Sequence, residues 1–309
     1  MQNSTFSTSV MTPATPSIMA RFNVSRVEAT LVLTLYTLGI AFGPLFIAPL
    51  SEVFGRRWLY IGTLSFFLAF SGGAAAAQNF AALLACRFLA GFLGSAGIAI
   101  GAGTISDIWQ LGKESGTAGL FFILGPFLGP TLGPLAGAYI LNDHDADWRW
   151  PLYLVVLIGA PVWVASLFMS ETSAAWRSRH ANPGAEKTSF TARDFARRAI
   201  LRPSRMLFLD PITSSLTVYS AYAYAMVFAY FASSSYVLPL YYGFNSRQVG
   251  LSFLSVVIGY LLATALFAFF DKAIYARVAR EAGAGHAAPE HRLYSGMVGS
   301  VFLPASLFW

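Results

Sequence analysis

The chain has 309 residues, of which 56% are hydrophobic and only 11% charged, and its mean hydropathy is +0.59. Soluble domains carry about 25% charged residues, so this composition excludes an ordinary soluble fold and points to lipid. A net charge of +6 and a pI near 9.5 would suit nucleic acid, but the placement of the basic residues accounts for them otherwise.

Charge-free windows mark the membrane spans directly, since about 20 apolar residues cross the hydrocarbon. In chain order they are Ala29–Ser51, Trp58–Ala85 continuing past Arg87 to Ser106, Ser115–Asn142, Pro151–Ser170, Pro211–Ser246, Gln248–Phe270 and Leu293–Trp309. The second is too long for one crossing, and Gly72-Gly73 with Gln78-Asn79 predicts a division near Gln78. The expected fold class is therefore all-α, a polytopic membrane protein of eight hydrophobic helices. Ahead of the first span, MQNSTFSTSVMTPATPSIMA lacks the basic start and apolar core of a signal peptide. It reads as a tail with two glycosylation acceptor patterns, at Asn3 and Asn23.

The loops alternate in charge. One set holds Arg56 and Arg57, Lys113, eight basic residues from Arg177 to Arg205, then Lys272, Arg277, Arg280 and Arg292. The other holds only Arg21, Arg26, Arg149 and Arg247, with Arg87 alone inside a span. Fifteen against four places the first set in the cytoplasm and the N-terminal tail outside. The basic balance thus follows from topology, and no nucleic-acid partner is needed. The composition shift at 171–209, with Asn182-Pro183-Gly184 and TARDFARRAILRPSR, reads as a cytoplasmic linker between membrane halves at 1–170 and 210–309. Its basic run is either a solvated linker or a patch against anionic lipid. Asp210-Pro211 opens the next helix as cap and first turn.

Four stretches carry more than hydrophobicity. APLSEVFGRRW, 48–58, puts Glu52, Gly55, Arg56 and Arg57 in a tight turn between two spans. ALLACRFLAGFLGSAG, 82–97, embeds Arg87, a costly residue in lipid that either faces a polar partner or snorkels to an interface. Leu120–Ile140 sets Gly125, Gly129, Gly133 and Gly137 four apart, with Pro126, Pro130 and Pro134 beside them. Small residues at that spacing admit a close neighbour helix, and the prolines free backbone carbonyls that only a protein-packed helix can satisfy. Tyr219, Tyr222, Met226 and Tyr230 form a stripe that is either helix packing or a pocket wall.

Other chemistry is absent from the sequence. His144, His180, His286 and His291 have no metal-ligand spacing, no P-loop is present, and GFLGSAG lacks the βαβ context of a dinucleotide site. The single cysteine, Cys86, permits no internal disulfide. No cofactor and no enzyme activity are expected.

Three of these segments resemble signatures of the major facilitator superfamily of secondary transporters. The turn is similar to the first-loop pattern G-x-L-a-D-r-x-G-R-R through Leu50, Gly55, Arg56 and Arg57, with Ala48, Glu52 and Val53 replacing Gly, Asp and Arg. Arg87, Gly91, Gly94 and Ser95 match the fourth-helix pattern R-x-x-x-G-x-x-G-S, and GAGTISDIW follows. Gly129, Gly133, Pro134 and Gly137 match the fifth-helix antiporter pattern, with Ala138 in place of its last glycine. The form APLSE-x-x-GRR resembles fungal drug:proton antiporters.

The resemblance implies a twelve-helix fold in two halves, of which this chain would hold about eight helices, from the outer end of the first into the ninth. It implies a gate latch between the halves at Glu52, Gly55, Arg56, Arg57 and Asp107, a proton-coupling role for Arg87, and a cavity wall at Tyr219, Tyr222, Met226 and Tyr230. The implied activity is proton-coupled efflux of hydrophobic small molecules by a monomer in the plasma membrane. Its partners would be substrate, protons and the bilayer. The alternative expectation is a truncated, non-transporting fragment of such an exporter.

Overall fold

The computed structural model describes residues 2–108, 113–173, 176–177, 201–270, 272–273, 278 and 294–308. Most of the expected linker, and His180, His286 and His291, lie outside the described residues. The described elements are helices, and local chemistry sets their ends. Helix α3 (Arg26–Phe54) starts at a capping box, in which Ser25 accepts from the Glu28 backbone N–H while the Glu28 carboxylate accepts from Ser25 N–H at 2.7 Å. It ends at Gly55, whose φ of +86° turns the chain at once into α4 (Arg56–Ala75).

The division expected near Gln78 is there: α4 stops at Ala75 and Asn79 caps α5 (Phe80–Gly94), accepting from Ala82 N–H at 2.7 Å. A kink at Ser95 leads into α6 (Ala96–Ile108), followed by α7 (Lys113–Asp143) and α8 (Trp150–Leu167). The last residues of the expected linker form α9 (Arg202–Leu209), and after it come α10 (Pro211–Tyr242), α11 (Ser246–Ser252), α12 (Leu254–Phe270) and α13 (Tyr294–Phe308). Asp210 caps α10, as expected, and Gly243, at φ +65°, closes it. Among the described residues, seven helices are long and apolar enough to cross a membrane. The eighth expected helix is α13, whose 15 residues fall short of a full crossing.

The tail does not behave as expected. Residues 2–22 form α1 (Gln2–Ser9), a 3-10 turn (Thr12–Ala14) and α2 (Thr15–Phe22); α1 and the turn run inside the bundle alongside α7, and α2 packs on α3. Val10, Met11, Ala14 and Ile18 are buried in the main core with Tyr36, Phe67, Leu83, Leu152 and Val155. The glycine face of α7 explains the packing: a Cβ at Gly129, Gly133 or Gly137 would strike Thr5, Ser9 or Val10 in turn. The start of the chain therefore sits at the depth of mid-α7 rather than outside. Asn3, an expected glycosylation acceptor, donates its side-chain amide to the Val155 carbonyl at 3.2 Å, a position that leaves a glycan no room. Asn23 is exposed in the turn after α2.

The prolines of α7 make the contact specific. Pro134 has no N–H, so the carbonyl of Pro130 loses its helical partner. Ser9 supplies the replacement, its hydroxyl donating to Pro130 O at 2.6 Å, while Thr5 donates to Gly125 O at 3.3 Å. Ser9→Ala should leave that buried carbonyl unpaired and cost about 1–3 kcal/mol. Thermal unfolding of the purified protein in detergent would show the loss, and Ser9→Thr should recover most of it.

Helix α7 also joins the halves. Opposite α1 it meets α11 and α12, where Gly250 lies against Leu135 and Ala138. The C-terminal part has its own small core, with Phe231 and Phe253 edge-on at 5.2 Å and Val249 beside them.

Candidate functional site

Arg87 is the largest fully buried side chain among the described residues, with none of its surface exposed. The bundle, and not an interface, receives it: Nε donates to Val32 O at 3.3 Å, one terminal nitrogen to the Ser7 hydroxyl at 3.1 Å and the other to Ser7 O at 2.8 Å. Its guanidinium lies 4.4 Å from the centroid of the Tyr36 ring, whose hydroxyl donates to Ser4 O at 2.6 Å. The planar five-donor fork is thus spent on neutral groups from α1 and α3. Among the described residues no carboxylate pairs with it. Of the two sequence readings, the polar partner is the one the structure bears out.

At the basic end of the bundle, the turn between α3 and α4 is tied down from two directions. Arg56 pairs with Asp107 of α6 at 2.8 Å, both largely shielded, and Arg57 donates to Leu167 O of α8 at 3.0 Å. Glu171, just past α8, accepts from the backbone N–H groups of Arg56 at 3.0 Å and Arg57 at 3.1 Å. The carboxylate stands at the N-terminus of α4, where the helix dipole favours negative charge. Gly55 makes room for it, since a Cβ there would meet Glu171 Oε2 at 2.6 Å. Glu52 is exposed in the last turn of α3. These contacts of Arg56, Arg57, Asp107 and Gly55 hold elements of the N-terminal half to one another, rather than one half to the other as the resemblance implied.

The tyrosine stripe splits. Tyr219 and Tyr222 line an open groove of about 830 Å³ together with Phe208, Leu209, Pro211, Ser214, Ser215 and Val218. Met226 is half-buried, and Tyr230 turns its ring edge-on to Phe253 at 6.0 Å. Tyr224, not part of the stripe, stacks on Phe127 of α7 at 5.2 Å, with Tyr260 against the same ring.

The family model of the Major Facilitator Superfamily matches residues 3–309. The chain belongs to that superfamily. Curated fungal proteins are among its matches: it is 36% identical to the efflux pump FUB11 of Gibberella moniliformis over 99% of this chain and 53% of the relative. It is 37% identical to the MFS-type transporter phm3 of Pyrenochaetopsis sp over 96% and 63%. The efflux pump radE of Floropilus chiversii is 31% identical over 97% and 58%. The chain spans a little over half to under two thirds of the length of these relatives. Among solved structures, the fold matches the proton:xylose symporter XylE with TM-score 0.58 at 15% identity, covering 89% of this chain and 67% of that one. The human organic anion transporter MFSD10 matches with TM-score 0.57 at 19% identity, over 88% and 69%.

In this superfamily member, then, sequence reasoning placed Arg87, Arg56 and Asp107 but missed Ser7 and Glu171. Partial burial of Glu171 favours its neutral acid, yet the backbone N–H groups of Ser173, Arg56, Arg57 and Thr172 outweigh it and hold the carboxyl below its ordinary value of 4.5. A carboxyl depressed on folding adds stability that is present above pH 4.5 and is lost as the pH falls through its folded value. Glu171→Gln should cost about 1 kcal/mol at neutral pH, like loss of a helix cap, and should flatten this acid-side decline. Thermal unfolding followed by circular dichroism in detergent, across pH, measures both.

Proposed function

We propose that this multi-pass membrane protein exports hydrophobic small molecules in exchange for protons, by alternating access about the seam between its halves. The observation that carries the reading is Arg87, a cation kept in the bundle on neutral partners, in a chain whose fungal relatives are named efflux pumps. Insertion scales put an arginine at mid-membrane near 3 kcal/mol, so its retention there points to function. A fixed positive charge disfavours a proton on any acceptor near it, which ties proton release to the state in which Arg87 is buried. The uncharged aromatic groove at Tyr219 and Tyr222 falls in the size range of small-molecule sites, and its chemistry suits bulky apolar ligands. The basic turn at Arg56 and Arg57 holds α3, α4, α6 and α8 as one body that can move as a unit. The plasma membrane is the location this activity calls for.

The test is expression of the reading frame containing this chain in yeast lacking its own pumps, with a hydrophobic fluorescent dye as reporter. Cells should retain less dye than vector controls, and a protonophore should abolish the difference. Retention equal to the control, with the protein present at the cell surface, would overturn the proposal.

A further inference from the structure

Among the described residues, two basic side chains reach from one half to the other, and both do so at the outer end. Arg26, the first residue of α3, lies with its guanidinium 4.4 Å from the centroid of the Tyr236 ring on α10. Arg247, in the first turn of α11, pairs with Asp143 at the last residue of α7 at 2.7 Å, and its guanidinium lies 5.4 Å from the centroid of Tyr139, one turn earlier. Around these pairs the backbone elements also meet: the Thr12–Ala14 turn touches α10, and α7 packs along α11. The basic end is organised differently, because the Arg56–Asp107 pair stays inside the N-terminal half.

We propose that Arg26 with Tyr236 and Arg247 with Asp143 form a clasp that closes the outer end and must release when the protein opens outward. The proposal rests on the alternating-access reading above. Exposure argues for a clasp rather than a structural rivet: the side chains of Arg247 and Asp143 are 44% and 56% exposed even when paired. Water is therefore at hand to take over each group as the pair parts. A contact broken in every cycle has to be weak, and exposed ion pairs of this kind shift an equilibrium by about fivefold at most. Geometry supplies the specificity. Tyr236 offers Arg26 a ring face rather than a charge, and Tyr139 presents the same kind of surface to Arg247, so each arginine slides off a flat partner without leaving a buried charge unpaired.

Ser233 is a suitable reporter, one turn inward from Tyr236 on α10 and on the Tyr219–Tyr230 face. In a Cys86→Ser background, Ser233→Cys would be labelled from outside with a membrane-impermeant maleimide, on intact cells expressing the full reading frame. Arg247→Ala, Asp143→Ala and Tyr236→Leu should each speed labelling by about fivefold, the ratio one exposed contact can hold. Tyr236→Phe, which keeps the ring, should label like the parent. Exchanging the charges, Arg247→Asp with Asp143→Arg, should return the rate to near the parent's. Unchanged rates in the single variants, or an exchange variant as fast as they are, would overturn the clasp. Labelling reports opening whether or not anything is exported. Faster labelling without dye efflux would therefore fault the transport reading, and efflux with unchanged labelling would fault the clasp alone.

Discussion

Arg87→Met is expected to abolish dye efflux, by tenfold or more, while the protein folds and reaches the membrane as well as the parent. The structure makes this a sharper test than Arg87→Ala, which removes the charge and also leaves a cavity beside Tyr36, Val32 and Leu83. Methionine fills much of the volume with an apolar chain and relieves the cost of a charge held in the bundle. If Arg87 were only a structural brace, Met would be nearly neutral, since Ser7 and Val32 carbonyls can also be served by water or by helical neighbours. If Arg87 couples proton and substrate, Met destroys coupling without destroying the fold. Arg87→Lys separates charge from shape: an ammonium keeps the charge but cannot reach Val32 O and both acceptors of Ser7 from one planar fork. It should retain a small fraction of efflux and lose its steepness with the proton gradient. Efflux within twofold of the parent in Arg87→Met, at equal surface abundance, would remove Arg87 from the mechanism.

Most of the span pattern was legible because lipid punishes charge, so gaps between ionisable residues fall where the helices are. The break at Gln78 was legible for a second reason, an asparagine placed to cap the next helix. The tail was not. Gln2–Ser9 is rich in Ser and Thr and has no apolar run, so composition reads it as solvent-facing. One of its hydroxyls answers the proline pattern of α7: Ser9 serves the Pro130 carbonyl that Pro134 frees, and Thr5, four residues earlier, adds a bond to Gly125 O along the same glycine face. That match was present in the sequence, but one freed carbonyl and one serine do not by themselves place a tail. Glu171 was hidden more deeply. Nothing local marks it, because the turn it caps lies 114 residues away, and only the closure of α4 against α8 brings the two together. The tyrosine stripe was legible as a helical face, but the sequence could not say which of its rings pack and which line a groove. Tyr224, off the stripe, packs on Phe127, while Tyr219 and Tyr222 on it face open space.

Gly91→Val should be the most damaging single change in the N-terminal half, and its effect should reach Arg87. Among the described elements, α3 and α5 make the most intimate pairing, because their backbones approach through small residues. A Cβ at Gly91 would fall on the carbonyl of Tyr36, and one at Gly39 on the carbonyl of Phe88, both far inside van der Waals contact and against backbone that cannot rotate away. Overpacking typically costs about 1–3 kcal/mol, and a β-branched side chain forced onto rigid backbone belongs at or beyond the upper end. Little folded protein should survive solubilisation and size-exclusion chromatography. Gly62→Ala and Gly72→Ala are the controls, since a Cβ at either meets nothing within 4 Å. They should be neutral or stabilising by up to about 1 kcal/mol, as expected for glycine replaced inside a helix. The functional link is geometric. Gly91 lies one turn beyond Arg87 on α5, and the closeness it allows is what brings the Val32 carbonyl and the Tyr36 ring to the guanidinium. Gly91→Ala, milder than valine, should therefore yield some folded protein with α3 pushed outward and efflux reduced out of proportion to its loss of stability. Gly91→Ala with parental efflux and stability would show that α3 can retreat without cost, and that the arginine does not depend on its approach.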